Sequence, residues 1–306
     1  MAEAETIKVN TLVESELDAR VKKLEDKLSA DVLAFSGRIA FGADLAIRDA
    51  IEWRKQQKPK RKKLAFFLET EGGYIELTQR IATTLRQHYR IVEFYVPDAA
   101  MSAGTVLVMS GDAIHMDYYS TLGPIDPQLP KRDGSGLVPA LGYLKKYKEL
   151  MDKAQSGSLN TAEITYLCSH FNPAELYQYE QAIKLSVSLL KQWLATYKFK
   201  NWKITKTRGL PVTPAMRRKR AQEIAIKLSI PDDASDYSYK WYTHGHGISM
   251  AVLRSEELKL QIEDFGKDKD LWKQIRDYWS LLTNHMAERG HKGVIHVKKR
   301  YKPLTW

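Results

Sequence analysis

The chain has 306 residues, 43% of them hydrophobic and 28% charged, which is the balance of an ordinary globular protein with room for one large or two medium domains. Its 48 Lys and Arg outnumber 37 Asp and Glu, giving a formal net charge of +11 that permits contact with nucleic acid or an anionic surface. No apolar run approaches the roughly 18 residues of a membrane span, and the opening MAEAETIKVN has neither a basic n-region nor an apolar h-region, so a cytoplasmic protein without membrane association is expected.

Residues 12–29 read as a helix of mixed charge, with Leu17, Val21, Leu24 and Leu28 recurring every three or four positions. VLAFSGRIA then suggests a short strand or turn, and ADLAIRDAIEW a second helix. The basic run Arg54 to Lys63 (RKQQKPKRKK) reads as a solvated linker, since no aromatic residues interleave with it as a single-strand stacking platform needs. LAFFLET (64–70) suits a buried strand. EGG breaks it, and Leu77, Ile81, Leu85 and Tyr89 step by four along a helix. A strand (90–96), a short buried helix (102–110) and another strand (113–119) follow. Strands alternating with helices at this spacing give an α/β fold with a parallel sheet.

Beyond LGPIDPQLPKRDGSG, a Pro- and Gly-rich loop placed to face a substrate, the pattern turns helical. A helix covers about 138–154. Asn172, Pro173 and Glu175 open another as N-cap, first helical position and first-turn acid. Thr213-Pro214 opens AMRRKRAQEIAIKLS, whose MRRKR (Met216 to Arg220) is the second basic cluster. RAQEIAIKLS followed by ISMAVLRSEEL has some helix-turn-helix character, and LWKQIRDYWSLLTNHMAE closes the helical part.

Chemistry concentrates at two strand ends, where parallel sheets place their active sites. Gly72 and Gly73 let the backbone approach a ligand and turn its N–H groups outward. Ser102, in DAAMSAGT, sits at the next strand-to-helix junction, one strand spacing of about 4.8 Å away. A serine there is either an ordinary N-cap or a presented nucleophile. As a nucleophile it would share an oxyanion with the backbone N–H groups of Gly72 and Ala103, and the small Ala103 and Gly104 leave room for a tetrahedral intermediate.

The stretch from LETEGGYIELTQRIATTLR through VEFYVPDAAMSAGTVLVMSGDAIHMDYYSTLGPIDPQLP resembles the Clp/crotonase-fold serine proteases, and within them the signal-peptide-peptidase A group. With TYKFKNWKITKTRG, RAQEIAIKLS and HGHGISMAVL, the chain over about residues 30–300 is similar to the SDH (serine dehydrogenase proteinase) family. The resemblance implies a Clp/crotonase-like fold of repeated ββα and βαβ units. A serine peptidase domain would occupy residues 1–200, with a mostly helical family-specific region at 201–306. It also implies Ser102 as nucleophile, Gly72 and Ala103 as oxyanion donors, a homo-oligomer, a peptide or unfolded protein as substrate, and no cofactor.

The general base does not carry over. Clp proteases place a histidine about two dozen residues after the serine, where this chain has Asp126 and no histidine. Signal-peptide-peptidase A relatives use a lysine further along, and Lys145, Lys146, Lys148 and Lys153 are the lysine candidates, with Lys145 favoured, while Asp126 is a further candidate, as an unusual base or as a group that orients one. A lysine base must be desolvated, which cannot hold for all of them. His115 reads as a structural strand residue. His244 and His246 share a face of an extended segment but have no obvious third ligand, so no metal is expected. Cys168 is the only cysteine, which excludes a disulfide within the chain and Cys-based zinc sites, and it reads as a buried structural thiol. No GxxxxGK[ST] motif is present, so energy-dependent unfolding would need a partner. The competing reading is a catalytically silent or nucleic-acid-associated module on the same fold, with nucleic acid possible but not favoured. Acyl-CoA chemistry of the crotonase type is a third reading, against which Ser102 weighs.

Overall fold

The computed structural model describes residues 9–125, 128–130, 137–205, 208–229 and 247–305, with the backbone alone at 128–130 and 137–141. In chain order, α1 (Val9–Leu28) leads to β1 (Asp31–Ser36), α2 (Ala43–Gln56), β2 (Lys63–Glu69), α3 (Ile75–His88) and β3 (Ile91–Tyr95). Next come β4 (Ala99–Ala100), α4 (Ala103–Val108), β5 (Ala113–Met116), β6 (Thr121–Leu122) and the antiparallel pair β7 (Gln128–Pro130) and β8 (Leu137–Pro139). The helices α5 (Ala140–Gln155), α6 (Thr161–His170) and α7 (Pro173–Trp193) follow, and α7 runs into a π-helical turn (Leu194–Lys198). The rest comprises α8 (Pro214–Ser229), β9 (Ile248–Ser249), α9 (Met250–Arg254), β10 (Glu263–Asp264), a 3-10 turn (Phe265–Lys267), α10 (Lys269–Glu288), β11 (Gly293–Val297) and β12 (Arg300–Leu304).

Seven strands form the main sheet in the order β10-β5-β3-β2-β1-β11-β12. The first five are parallel, whereas β11 runs antiparallel to β1 and β12 antiparallel to β11. A small second sheet, β4-β6-β9, stands at the carboxyl ends of β2 and β3. This ββα-type arrangement is the expected Clp-like α/β fold with helices in its C-terminal part. Every residue of β1 is buried, as for a strand covered on both faces. Leu33, Phe35, Phe66, Leu68, Val92 and Phe94 face one core, and Val32, Ala34, Ala65, Phe67 and Tyr95 face a second that Leu17, Val21, Leu24, Tyr278 and Leu282 complete from α1 and α10. Aromatic rings stack from strand to strand on both faces, Phe66 on Phe94 at 5.3 Å and Phe67 on Tyr95 at 4.9 Å.

The predicted cap of α7 forms, with the Asn172 side chain accepting from the Ala174 N–H at 2.9 Å and Pro173 opening the helix. Three other expectations need correction. The basic run is not a solvated linker throughout. Arg54 is 1% exposed and pairs with Glu25 at 2.9 Å and Asp31 at 2.7 Å. Arg61 donates to the backbone oxygens of Glu25 and Ala30. A buried carboxylate pair at the amino end of β1 takes these cations inward. Cys168 is exposed on α6, a helix with no buried residue. α9 is only five residues long and follows a strand, so among the described residues α8 and α9 do not form a helix-turn-helix. Residues 201–306 also supply β10, β11 and β12 to the same sheet as β1.

Tyr89 donates its hydroxyl to Asp31 at 2.9 Å, so α1, β1, α2 and the end of α3 meet in one buried ionic cluster. Burial pushes the Asp31 carboxyl up, and the Arg54 guanidinium and Tyr89 hydroxyl pull it back. Replacing Arg54 by Met strands two buried carboxylates, and urea unfolding is expected to show a loss of about 3–5 kcal/mol. Asp117, fully buried after β5, accepts from the N–H groups of Tyr119 and Ser120, the Ser120 hydroxyl, Trp272 and Arg276. Burial opposes its ionisation, but Arg276, the Tyr119 N–H and Ser120 outweigh it and hold the carboxyl below the usual carboxylate range. Its contribution is therefore present above the unfolded value of about 3.9 and is lost as pH falls through the lower folded value. Asp117→Asn is expected to destabilise the protein at pH 7 by roughly 3–5 kcal/mol and to remove this part of the acid-side slope in unfolding measured from pH 5 to pH 2.

Candidate active site

The two strand ends singled out in the sequence are joined by backbone pairing. Thr70 donates its N–H to the Ala99 oxygen and accepts from the Met101 N–H, both at 2.9 Å. The segment after β2 is thereby zipped to β4, and the Gly pair lies against the turn that starts α4. Ser102 occupies that turn with φ 51° and ψ −118°, a left-handed conformation rare for a residue with a Cβ. Such a backbone costs of order 1–3 kcal/mol and persists only where its surroundings impose it. Its side chain makes no capping bond to α4, so the N-cap explanation of this serine does not hold. Ser102 is 4% exposed.

Gly72 and Gly73 adopt φ 100° and 144°. A Cβ on Gly72 would stand 2.8 Å from both the Met101 oxygen and the Ser102 Cβ, and 3.3 Å from the Ala103 nitrogen. A Cβ on Gly73 would strike the Ile39 oxygen at 2.2 Å. Both glycines are thus required by close approach. The Ala103 N–H opens α4 and has no acceptor among the described residues. The second expected donor needs correction. Gly72 gives its N–H to Thr70 Oγ1 at 3.0 Å, and its oxygen accepts from the Ile39 N–H at 2.8 Å. Gly73 is the residue of this turn whose N–H has no acceptor among the described residues.

Thr105, on the first turn of α4, is fully buried and ties the site to its neighbour loop. Its hydroxyl bonds to the Ala100 and Gly123 oxygens at 2.7 and 2.8 Å, and the Gly123 N–H returns to it at 3.0 Å. The LGPI portion of the expected loop is therefore held beside Ser102. Neither threonine stands out in the sequence, where each reads as a small residue in an apolar run. Only the fold shows what their hydroxyls bond.

Residues 45–165 match the family of ClpP-like SDH-type serine proteinases. The matched region holds β2, the Gly pair, Ser102, α4, the segment at 121–125 and the whole of α5, which carries the lysine candidates. Two uncharacterized proteins of Methanocaldococcus jannaschii are similar to the chain over 107 residues each, at 36% and 28% identity. Each match spans 35% of this chain and 35% of the relative's own length. No described helix is long and apolar enough to cross a membrane.

Of the base candidates, Asp126 lies outside the described residues, and so do His244 and His246, the pair weighed as metal ligands. Lys145, Lys146, Lys148 and Lys153 are all exposed on α5. Lys146 pairs with Glu149 at 3.1 Å and Lys153 with Glu163 at 2.5 Å. The Glu163 carboxylate holds the Lys153 ammonium above its ordinary value, opposite to what a base needs. Lys198, on the π-helical turn, is pushed down to about 8 by burial, against the pull of Glu263, Asp112 and Glu93. Those carboxylates belong to the β3, β5 and β10 edge. His115 lies there too, stacked on Tyr95 at 4.1 Å and 3.4 Å from Glu93, in the structural role expected of it.

Gly72→Ala, whose side chain presses on the Met101 oxygen and the Ser102 Cβ and so shifts the neighbouring Gly73 N–H, is expected to slow covalent labelling of Ser102 by a fluorophosphonate by roughly a hundredfold or more. Thr105→Val is expected to cost about 1–3 kcal/mol in urea unfolding, because it leaves buried backbone groups without their hydroxyl partner.

Proposed function

We propose that the chain is a serine peptidase that hydrolyses peptide bonds through an acyl-enzyme at Ser102. The observation that carries this reading is the left-handed Ser102 turn, packed against a Gly pair and flanked by two N–H groups without protein acceptors among the described residues. Ser102 Oγ attacks the peptide carbonyl carbon and gives its proton to a base. The carbonyl oxygen becomes an oxyanion held by the N–H groups of Gly73 and Ala103. Collapse breaks the C–N bond, the departing amine takes the proton, and water then hydrolyses the ester.

The base in this reading is a lysine of α5, with Lys145 first, or Asp126 acting directly or by orienting another group. In one chain the α5 lysines face water. Desolvation, which a lysine base requires, would then come from assembly with further copies, so the proposal couples activity to a homo-oligomer acting on peptide or unfolded segments. The inward use of Arg54 and Arg61 weakens the case for a polyanion-binding module built on that basic run.

A fluorophosphonate probe is expected to label Ser102, with mass spectrometry locating the adduct and Ser102→Ala abolishing it while circular dichroism stays unchanged. Absence of labelling in folded, assembled protein overturns the reading. Lys145→Met is expected to slow labelling by about a hundredfold or more if Lys145 is the base, within the usual range for general-base catalysis, with the assembly state unaltered in sedimentation.

A further inference from the structure

A cavity of about 820 Å³ opens at the carboxyl ends of β1 and β2. Thr70, Glu71 and Tyr74 line it from one side and Met101 from another. These residues bracket the Gly pair in the chain, and Met101 directly precedes Ser102, so the cavity lies next to the turn that carries Ser102. Its volume suits a ligand of several residues' side chains rather than a water cluster.

The wall is apolar at its mouth, where Phe41 and Tyr74 pair at 4.6 Å with Phe41 72% exposed. Deeper, the charge is negative. Glu69, the last residue of β2, turns its carboxylate to Trp279 Nε1 at 2.6 Å and Ser36 Oγ at 3.4 Å, and Asp98 is close enough to act on it through charge. The cationic lining groups are Arg38 and Lys292, with Lys292 exposed at the rim beside the exposed Glu71. Burial, joined by Asp98, pushes the Glu69 carboxyl up, although the Trp279 and Ser36 bonds oppose this. A cation entering the cavity would relieve that cost.

We propose that this cavity receives a cationic group of the peptide, with Glu69 as the group that recognises it and Asp98 in support. The inference rests on the peptidase reading of Ser102 and adds the substrate chemistry. Glu69 and Gly72 are three residues apart, so their Cα atoms are within about 11 Å. The cation therefore lies within about three residues of the scissile bond. It is either a lysine or arginine side chain or the peptide's own terminal ammonium, and the test separates the two.

Binding is read by fluorescence anisotropy on the full-length Ser102→Ala protein, which cannot turn the peptides over. Three N-acetylated hexapeptide amides carry a central Lys, norleucine or Glu, and a fourth has norleucine with a free N-terminus. The Lys or the free-amine peptide is expected to bind at least tenfold more tightly than the blocked norleucine peptide, and the Glu peptide more weakly than either. Preference for the blocked Lys peptide assigns the cavity to a side chain, and preference for the free amine assigns it to the chain terminus. Glu69→Gln keeps an acceptor oxygen for Trp279 and is expected to erase the preference. Should that variant fail to fold, Asp98→Asn is expected to reduce the preference at least threefold.

Equal binding of the blocked Lys, blocked norleucine and free-amine peptides, or no saturable binding of any of them, overturns the inference. So does a preference that survives Glu69→Gln. Fluorophosphonate labelling of the wild type runs beside these measurements. Labelling without cation preference overturns this inference alone, whereas cation preference without labelling supports the recognition site and overturns the acyl-enzyme reading.

Discussion

One steric constraint organises this molecule's chemistry, the contact between the Gly72 backbone and the Ser102 turn. There is no space for a side chain at Gly72, because the Met101 oxygen and the Ser102 Cβ already occupy the position a Cβ would take. That closeness brings the Gly72–Gly73 peptide alongside the Ser102–Ala103 peptide. It also supports the left-handed serine backbone, a conformation with an intrinsic cost that packing must offset. Thr70 holds both sides together, bonding to β4 through its backbone and to the Gly72 N–H through its hydroxyl. Thr105 then extends the same unit to the loop at Gly123. The site is thus a short-range lattice of backbone contacts with few side-chain contributions.

The opposite end of the sheet is built differently. At the amino ends of the strands, Arg54, Glu25, Asp31 and Tyr89 form a buried ionic cluster among α1, β1, α2 and α3. A cluster of this kind adds little net stability over an apolar replacement, but it penalises any arrangement that separates its members. It therefore fixes how the helices seat on the sheet. The carboxyl ends carry the glycines, the small residues and the cavity, with Glu69 and the Asp117–Arg276 pair as the charges set among them.

The alternation of strands and helices from residue 64 to residue 116, and the relation between the Gly pair and Ser102, were legible in the sequence because both depend on local patterns. Apolar runs mark strands, and glycines at strand ends mark close approach. What the sequence did not disclose depends on long-range geometry. Whether the amide of Gly72 or of Gly73 points outward is settled by where the Thr70 hydroxyl falls. Arg54 is indistinguishable in the basic run from the lysines around it until Glu25 and Asp31 are seen to converge on it. The usual tendency of free cysteines towards burial predicts a buried Cys168, but α6 buries none of its residues, so its thiol is exposed. The strands at 293–297 and 300–304 escaped notice amid charged residues, although the first is wholly buried.

The pairing of β1 with β11 has a further consequence for how the chain reaches this structure. Leu33 lies opposite Val297 and Ser36 opposite Val294, so the partner of the first strand is made some 260 residues later. At a synthesis rate of about 5–20 residues per second, β1 emerges tens of seconds at most before β11 exists. During that interval β2 covers one edge of β1, while the other presents unpaired backbone groups on a strand with an apolar centre, Val32 to Phe35, the kind of edge that recruits foreign strands. Contacts of such sequence separation also form slowly, since the intervening loop must close first. Folding of this protein is therefore limited by the arrival of β11 and β12, and the nascent chain is most exposed to aggregation until they emerge.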